Sequence, residues 1–322
     1  QQIKVGFIGP QNSGKSMAAG HLIYSLGRLD KEKIDEFDKK ASEVSDDTQK
    51  YNFLLNYLHS EYNRNIPFVS PFKFYTTKYE FNIIESEYPT KYSINLIDGT
   101  VMHNSSNTDC VVLFVDSSEG NFEKDIKLKG LISEFATITY IFDIQNLIVA
   151  INRIDCTNFS QERFEFIQNE IDHLLVKIGF KKEQYKFVPI SSLNGDNLIE
   201  KSKNTPWWKG GTLIDLLNDV QPSVYKDEVG LRFPVQEVYN GKELGTAVVG
   251  RVESGHLKEK QKVVFVPSNI EATVKSIQKH GKEPIKEAKI GESACLFVDV
   301  PYSDIKRGFM CGDPLNHPPK QC

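Results

Sequence analysis

The sequence has few cysteines, and none of them are paired in a short motif. Its 322 residues include five scattered cysteines without a C-x-x-C pair: Cys110, Cys156, Cys295, Cys311 and Cys322. We therefore expect neither a disulfide framework nor a zinc site, and the composition fits a reducing compartment such as the cytoplasm. No apolar run approaches the roughly 20 residues that span a bilayer, so membrane insertion is not expected either.

An excess of positive charge is also missing. Lys and Arg together number 39 against 43 Asp and Glu, which gives a formal net charge of −4. Proteins that bind nucleic acid mainly through its phosphates are usually basic, so this balance argues against RNA as a partner. The length allows two domains, each with its own core. Because the chain starts at Gln1 and stops at Cys322, we interpret it as part of a longer protein.

Buried strands alternate with helices over the first two thirds of the chain. Continuous apolar runs predict strands at residues 3–8, 110–115, 147–151 and 187–190. Apolar residues at helical spacing predict helices at residues 15–26 and 161–178, with further helices within 30–60. This alternation indicates a mainly parallel sheet that is covered on both faces.

The pattern changes near residue 222, where Gln221-Pro222-Ser223 predicts a linker. Short strands separated by turns follow, at residues 246–252, 262–266, 273–278 and 293–298. Such short, regularly spaced strands are typical of a small all-β barrel. The sequence thus predicts an α/β domain over residues 1–222 and a β-barrel domain over residues 223–322.

A phosphate-binding loop is predicted directly after the first strand. Residues 9–16 fit the pattern G-x-x-x-x-G-K-[ST] and open a predicted helix, which is the context that the pattern requires. Lys15 would reach the β- and γ-phosphates, and the hydroxyl of Ser16 would be a Mg²⁺ ligand. The nucleotide-binding residues predicted here are Gly9, Asn12, Ser13, Gly14, Lys15, Ser16 and Met17.

Two further elements at strand ends predict a guanine pocket. Asn152-Arg153-Ile154-Asp155 fits the N-K-x-D pattern with arginine in place of lysine, and Ser191-Ser192-Leu193 fits an S-A-x element. Asp155 would accept two hydrogen bonds from the N1–H and amino groups of guanine, a pair that adenine lacks. Asn152 would tie the loops together, and Arg153 would cover the base. Ser191, Ser192 and Leu193 would contact the base oxygen through backbone N–H groups.

With these elements in place, the chain resembles eukaryotic translation elongation factor 1-alpha, and hence the elongation factor Tu family of translational GTPases. The resemblance extends over the whole chain. It includes three stretches outside the loops above: Gly20-His21-Leu22-Ile23-Tyr24, Pro206-Trp207-Trp208-Lys209-Gly210 and Gly250-Arg251-Val252-Glu253-Ser254-Gly255. The resemblance implies the first two domains of such a factor, with GTP or GDP and Mg²⁺ as cofactors. The second domain of the family holds the aminoacyl end of tRNA.

The chain departs from the family where the γ-phosphate is sensed and cleaved. The family's first switch ends in Arg-Gly-Ile-Thr, whose threonine is a Mg²⁺ ligand, whereas this chain has Arg64-Asn65-Ile66-Pro67. Asn12 and Met17 stand where the family has aspartate and threonine. The resemblance therefore implies a weakened Mg²⁺ site.

The second switch, Asp-Ala-Pro-Gly-His in the family, can be placed in two ways. One placement uses Asp98-Gly99 and His103. The preferred placement aligns Glu85 with the aspartate, Tyr88 with the glycine and Pro89 with the histidine that orients the attacking water. Loss of that group and of a metal ligand should slow phosphoryl transfer strongly, so no catalytic residue is assigned.

Three hypotheses follow. The first is a degenerate GTPase that binds guanine nucleotide, hydrolyses it slowly or not at all, and acts as a binding or scaffold subunit on the ribosome or in a larger protein assembly. The second is a working translational GTPase that delivers aminoacyl-tRNA to the ribosome. The third is a structural protein with an empty pocket. The intact phosphate loop and Asp155 argue against the third, and Pro67, Pro89 and the acidic balance argue against the second.

Overall fold

The chain forms two compact units. In a computed structural model, the described residues are 2–44, 46, 48–64, 72–86, 108–127, 130–221, 230–241, 245–279 and 283–319. The predicted boundary between residues 222 and 223 lies outside them and stays a prediction. No helix in these ranges is long and apolar enough to cross a membrane.

The first unit is built on a mostly parallel sheet with the strand order β2-β3-β1-β4-β5-β6. The strands are β1 Gln2–Ile8, β2 Lys73–Tyr75, β3 Glu80–Ser86, β4 Cys110–Asp116, β5 Leu147–Asn152 and β6 Tyr185–Pro189. All neighbouring pairs are parallel except β2 and β3. The carboxyl ends of β1, β3, β4, β5 and β6 therefore lie at one edge of the sheet, where ligands of such sheets bind.

Helices cover both faces of this sheet. They are α1 Lys15–Leu26, α2 Lys31–Glu43, α3 Gln49–Arg64, α4 Asn121–Asp125, α5 Leu131–Ile141, α6 Gln161–Ile178 and α7 Leu213–Asn218. Strand β4 shows why two layers form, since all seven of its residues are buried. Cys110, Val112 and Phe114 join the core beneath α1, α3 and α7. The alternate residues Val111, Leu113 and Val115 join the core beneath α5 and α6.

The second unit is an antiparallel barrel. Its strands are β7 Arg232–Asn240, β8 Thr246–Arg251, β9 Leu257–Lys258, β10 Lys262–Val266, β11 Ile270–Lys279, β12 Glu283–Ile285, β13 Glu287–Ala288, β14 Ser293–Val298 and β15 Met310–Gly312. The order β10-β15-β7-β8-β14-β11 closes on itself because β10 also pairs with β11. Its core is apolar and includes Phe233, Val248, Phe265 and Leu296.

The fold class predicted from the sequence is confirmed, namely a mainly parallel α/β unit followed by a small β-barrel. The helices predicted at residues 15–26 and 161–178 have these bounds in the structure. The helices expected within residues 30–60 are α2 and α3. Strand β2 was not predicted, because it has only three residues and buries only the middle one, Phe74.

Candidate nucleotide-binding site

The loop between β1 and α1 folds around the ammonium group of Lys15. Its Nζ donates to the carbonyl oxygens of Gly9 at 2.9 Å and of Pro10 at 2.8 Å, and lies 3.5 Å from the Ser13 hydroxyl. Only 3% of Lys15 is exposed. The sequence thus places a buried positive charge inside a loop at the amino-terminal end of a helix, an arrangement that favours anions.

Position 14 requires glycine for two reasons, a positive backbone φ angle and a close contact with Asn152. Gly14 has a φ of 87°, and a Cβ atom there would lie 2.1 Å from Nδ2 of Asn152. The same Nδ2 donates to the carbonyl oxygen of Ser13 at 2.7 Å. Any side chain at position 14 would therefore separate the phosphate loop from the end of β5.

Asn152 joins the phosphate loop to the loop after β6. Its Oδ1 accepts hydrogen bonds from the backbone N–H of Ser192 at 2.9 Å and from the Ser192 hydroxyl at 3.0 Å. Asn152 itself is fully buried. The neighbouring Ser191 is buried too, while Leu193 is 43% exposed. One amide side chain thus fixes the spacing of two predicted nucleotide-binding loops.

One carboxylate oxygen of Asp155 is a hydrogen-bond acceptor without a partner among the described residues. It lies in a short 3-10 helix, Ile154–Thr157, directly after β5. Its Oδ2 is 3.5 Å from the thiol of Cys156, whereas Oδ1 is buried without a hydrogen-bond partner among the described residues. Leaving a buried acceptor unpaired costs roughly 1–3 kcal/mol. A ligand that offers N–H donors would satisfy this oxygen, and guanine offers two.

Arg153 lies beside Asp155 and pairs with a residue that the sequence patterns did not indicate. Its NH1 donates to Oδ2 of Asp116 at 3.0 Å. Partial burial lowers the pKa of Arg153, the charges of Asp116 and Cys156 raise it, and the net shift is upward. The guanidinium group therefore stays positively charged next to the predicted base pocket.

Ser16 is tied to the end of β3. Its hydroxyl donates a hydrogen bond to the carboxylate of Glu85. Glu85 reaches this position because β3 runs parallel to β1, with Glu85 opposite Phe7. Hydroxyl and carboxylate oxygens are the donors that Mg²⁺ prefers, so the pair fits the metal expected at Ser16.

Glu85, which the preferred placement of the second switch aligns with the family's aspartate, is the penultimate residue of β3, and the placement itself stays a prediction. Other parts of the switch predictions, namely residues 65–67, Tyr88, Pro89, Asp98, Gly99 and His103, lie outside the described residues. Asn12 is exposed with a φ of 64°, and Met17 is half-buried in the first turn of α1.

His21 is a further residue of the site whose place was not predicted. Its Nδ1 lies 3.2 Å from the carbonyl oxygen of Ser192, so Nδ1 carries the hydrogen and donates it. The ring stacks on Tyr51 of α3 at 4.5 Å. Burial lowers the pKa of His21, the Ser192 hydrogen bond opposes this shift, and the charge of Lys50 adds to it. The imidazole thus links α1, α3 and the loop after β6.

Two family models match the chain: the elongation factor Tu GTP binding domain over residues 1–232 and elongation factor Tu domain 2 over residues 245–312. The chain is 35% identical to elongation factor 1-alpha of Aspergillus oryzae, in an alignment that covers 100% of this chain and 72% of the relative. It is 39% identical to elongation factor 1-alpha of Euglena gracilis, with 99% and 71% covered.

Solved structures share the fold at lower identity. The S. cerevisiae Ski7 GTPase-like domain, bound to GTP, has a TM-score of 0.70 at 18% identity, with 98% of this chain and 75% of that chain covered. Translation elongation factor SelB of Methanococcus maripaludis, in its apo form, has a TM-score of 0.61 at 19% identity, with 98% and 56% covered.

Proposed function

The chain belongs to the elongation factor Tu and elongation factor 1-alpha family of translational GTPases, and from this membership we propose that it binds GTP or GDP and hydrolyses GTP slowly or not at all. In this proposal the nucleotide-bound chain acts as a binding or scaffold subunit in the cytoplasm, on the ribosome or in another protein assembly. Aminoacyl-tRNA delivery is not part of the proposed role, because the acidic net charge of −4 does not favour RNA.

The unpaired Oδ1 of Asp155 is the observation that carries the nucleotide-binding part. It lies at the carboxyl edge of the sheet, two residues after the partly exposed Arg153 and three after Asn152. A purine with N–H donors at N1 and at its exocyclic amine fits this acceptor, whereas adenine has no N1–H. The pocket therefore favours guanine over adenine.

The remaining contacts are assigned to this chain's own groups. Lys15 would exchange its two carbonyl partners for phosphate oxygens, and backbone N–H groups of residues 12–17 would donate to the phosphates. Ser16 and Glu85 would hold Mg²⁺, which neutralises phosphate charge when it is bound. Asn152 would keep the phosphate loop and residues 191–193 at a fixed spacing, so that both ends of the nucleotide fit at once.

Slow hydrolysis is inferred from the residue types at the switch positions. Pro67 has no hydroxyl to bind Mg²⁺, and Pro89 has no group to orient an attacking water. Phosphoryl transfer depends almost entirely on positioning and electrostatic stabilisation, so these losses act on the chemical step more than on binding. Glu85, at the end of β3, supports the alignment on which the assignment of Pro89 rests.

Binding is tested by equilibrium titration of the purified, nucleotide-stripped chain with fluorescent GDP, GTP and ADP analogues. We expect tight binding of both guanine nucleotides and no binding of ADP. Lys15→Ala serves as the binding-deficient control. Equal affinity for ADP, or no binding at all, would refute the proposed function.

The scaffold role is tested by co-sedimentation with ribosomes in the presence of GTP, GDP or no nucleotide. The proposal predicts nucleotide-dependent co-sedimentation with ribosomes, or with another assembly recovered from cytoplasmic extract, that is lost in Lys15→Ala. Binding that Lys15→Ala leaves unchanged would show that the nucleotide does not control the interaction.

A further inference from the structure

Asp116 is a buried carboxylate next to the predicted base pocket, and the nucleotide-binding motifs do not include it. It ends β4, and the parallel register places it directly opposite Asn152, the last residue of β5. Only 5% of Asp116 is exposed. A charge this deeply buried needs partners, and the identity of those partners indicates what it does.

Three donors hold the carboxylate in place. Oδ1 accepts from the backbone N–H of Ser118 at 2.9 Å. Oδ2 accepts from Nδ2 of Asn121 at 3.0 Å and from NH1 of Arg153 at 3.0 Å. Two of the donors come from the segment that follows β4 and fix the carboxylate to its own loop. The third is the side chain that the sequence places over the nucleotide base.

The ion pair is strongly asymmetric. The side chain of Asp116 is 6% exposed, whereas that of Arg153 is 41% exposed. Arg153 therefore has one edge fixed to a rigid, buried anchor while the rest of its planar group faces outward. Its backbone is held as well, in the left-handed region with a φ of 63°, directly before the 3-10 helix that contains Asp155.

A fixed guanidinium plane differs from the lysine of the N-K-x-D pattern. A lysine ammonium is a compact, strongly hydrated charge on a flexible stem, whereas a guanidinium is planar, weakly hydrated and able to stack on an aromatic face. Stacking contributes most to affinity when the guanidinium plane is already oriented before the ligand binds, because the side chain then loses less rotamer entropy on binding.

We propose that Asp116 is a positioning residue, which orients the guanidinium of Arg153 to stack on the face of the bound purine and so slows nucleotide release. The inference rests on the proposed guanine-nucleotide binding. It assigns base recognition to two groups with separate tasks: Asp155 reads the edge of the base, and the Asp116–Arg153 pair covers its face.

The test is the release rate of a fluorescent GDP from the whole chain, measured by chase with unlabelled GDP. Asp116→Asn and Arg153→Ala should each speed release by about tenfold, the size expected for a desolvated cation–π contact. Asp172→Asn is the matched control. It removes a carboxylate that pairs with Lys182 and Tyr185 at the opposite, amino-terminal edge of the sheet, and should leave release unchanged.

A double variant separates positioning from a general structural role. If Asp116 acts through Arg153, Asp116→Asn has no further effect on release in the Arg153→Ala background. If it acts only by holding Ser118 and Asn121, it speeds release equally in both backgrounds, and the inference is wrong. Face stacking also requires the same fold change for IDP as for GDP, since the two purines differ only at the edge that Asp155 would read.

The remaining outcomes are also decisive. If Asp116→Asn fails to fold, Asp116→Glu replaces it, because this variant keeps the negative charge but shifts the carboxylate relative to Arg153, and it should also speed release. Unchanged release from Arg153→Ala overturns the inference and leaves the proposed function intact. A wild-type chain that does not bind GDP at all overturns both.

Discussion

The hydroxyl of Ser16 donates a hydrogen bond to the carboxylate of Glu85, so the first turn of α1 is joined to the end of β3. Both groups are oxygen donors at the place where the phosphates of a nucleotide would lie. Two such ligands should make nucleotide retention depend on Mg²⁺. The dependence of the nucleotide release rate on Mg²⁺ concentration therefore measures the contribution of this pair.

The first prediction concerns this pair. The Glu85→Ala substitution should raise by about tenfold the Mg²⁺ concentration that is needed to slow the release of fluorescent GDP. An effect of this size is expected when a side chain that supports a metal site is removed. Glu36→Gln, a change in an exposed ion pair on α2, is the control and should match wild type. If chelation of Mg²⁺ speeds release equally from wild type and Glu85→Ala, Glu85 does not contribute to the metal site.

The second prediction concerns base selectivity. Asp155→Asn should lower GDP affinity by about a hundredfold, because a carboxylate that accepts two hydrogen bonds is replaced by a group that accepts one and donates one. The same variant should gain affinity for XDP, whose C2 carbonyl can accept from the new amide. Calorimetric titration with both nucleotides measures this, with Asp143→Asn in an exposed turn as the control. Unchanged preference for GDP would place guanine recognition elsewhere.

The third prediction uses two glycines with similar positive φ angles. Gly14 has a φ of 87° and Gly120 a φ of 83°, but only at Gly14 would a Cβ atom meet another group. Gly120→Ala should cost about 1–3 kcal/mol of stability from backbone strain alone. Gly14→Ala should cost more and also abolish GDP binding, because it displaces Asn152. Urea unfolding and GDP titration of both variants measure these effects. Equal changes in stability and in GDP binding would contradict a close contact between position 14 and Asn152.

The fourth prediction concerns pH. Burial holds the pKa of His21 below its ordinary range. Below about pH 6.5 the unfolded chain therefore binds a proton that the folded chain does not, and stability falls as the pH drops. His21→Gln should lose less stability than wild type between about pH 7.5 and about pH 5.5. Chemical unfolding at both pH values measures this, with the exposed His173→Gln as the control. A parallel decline in wild type and His21→Gln would show that His21 is not the group responsible.

Much of the fold could be predicted because its signals are local. The apolar run of β4 and the glycine loop before Lys15 are properties of a few consecutive residues. Periodicity alone was also enough to give α6 its bounds. The three-residue β2 could not be found in this way, since its place depends on pairing with β3 rather than on its own pattern.

Short motifs identify some residues of the candidate site from the sequence, whereas contacts that depend on the register between strands cannot be found in this way. Lys15, Asn152 and Asp155 belong to short patterns that are visible in the sequence, and their nucleotide-binding roles stay predictions. Asp116 is 37 residues from Arg153, and the pair is visible only once β4 and β5 are aligned. The contact of His21 with Ser192 spans 171 residues and carries no sequence signal.

The most direct test of the account is single-turnover cleavage of GTP bound to the chain, with Mg²⁺ and with or without ribosomes. We predict that the bound nucleotide stays GTP, with a rate no faster than the order of 10⁻⁴ s⁻¹ that an unassisted GTPase shows, and that ribosomes do not change it. Lys15→Ala, which should not retain GTP, gives the background. Cleavage on the order of 1 s⁻¹ or faster, with or without ribosomes, would contradict slow hydrolysis and favour a working translational GTPase.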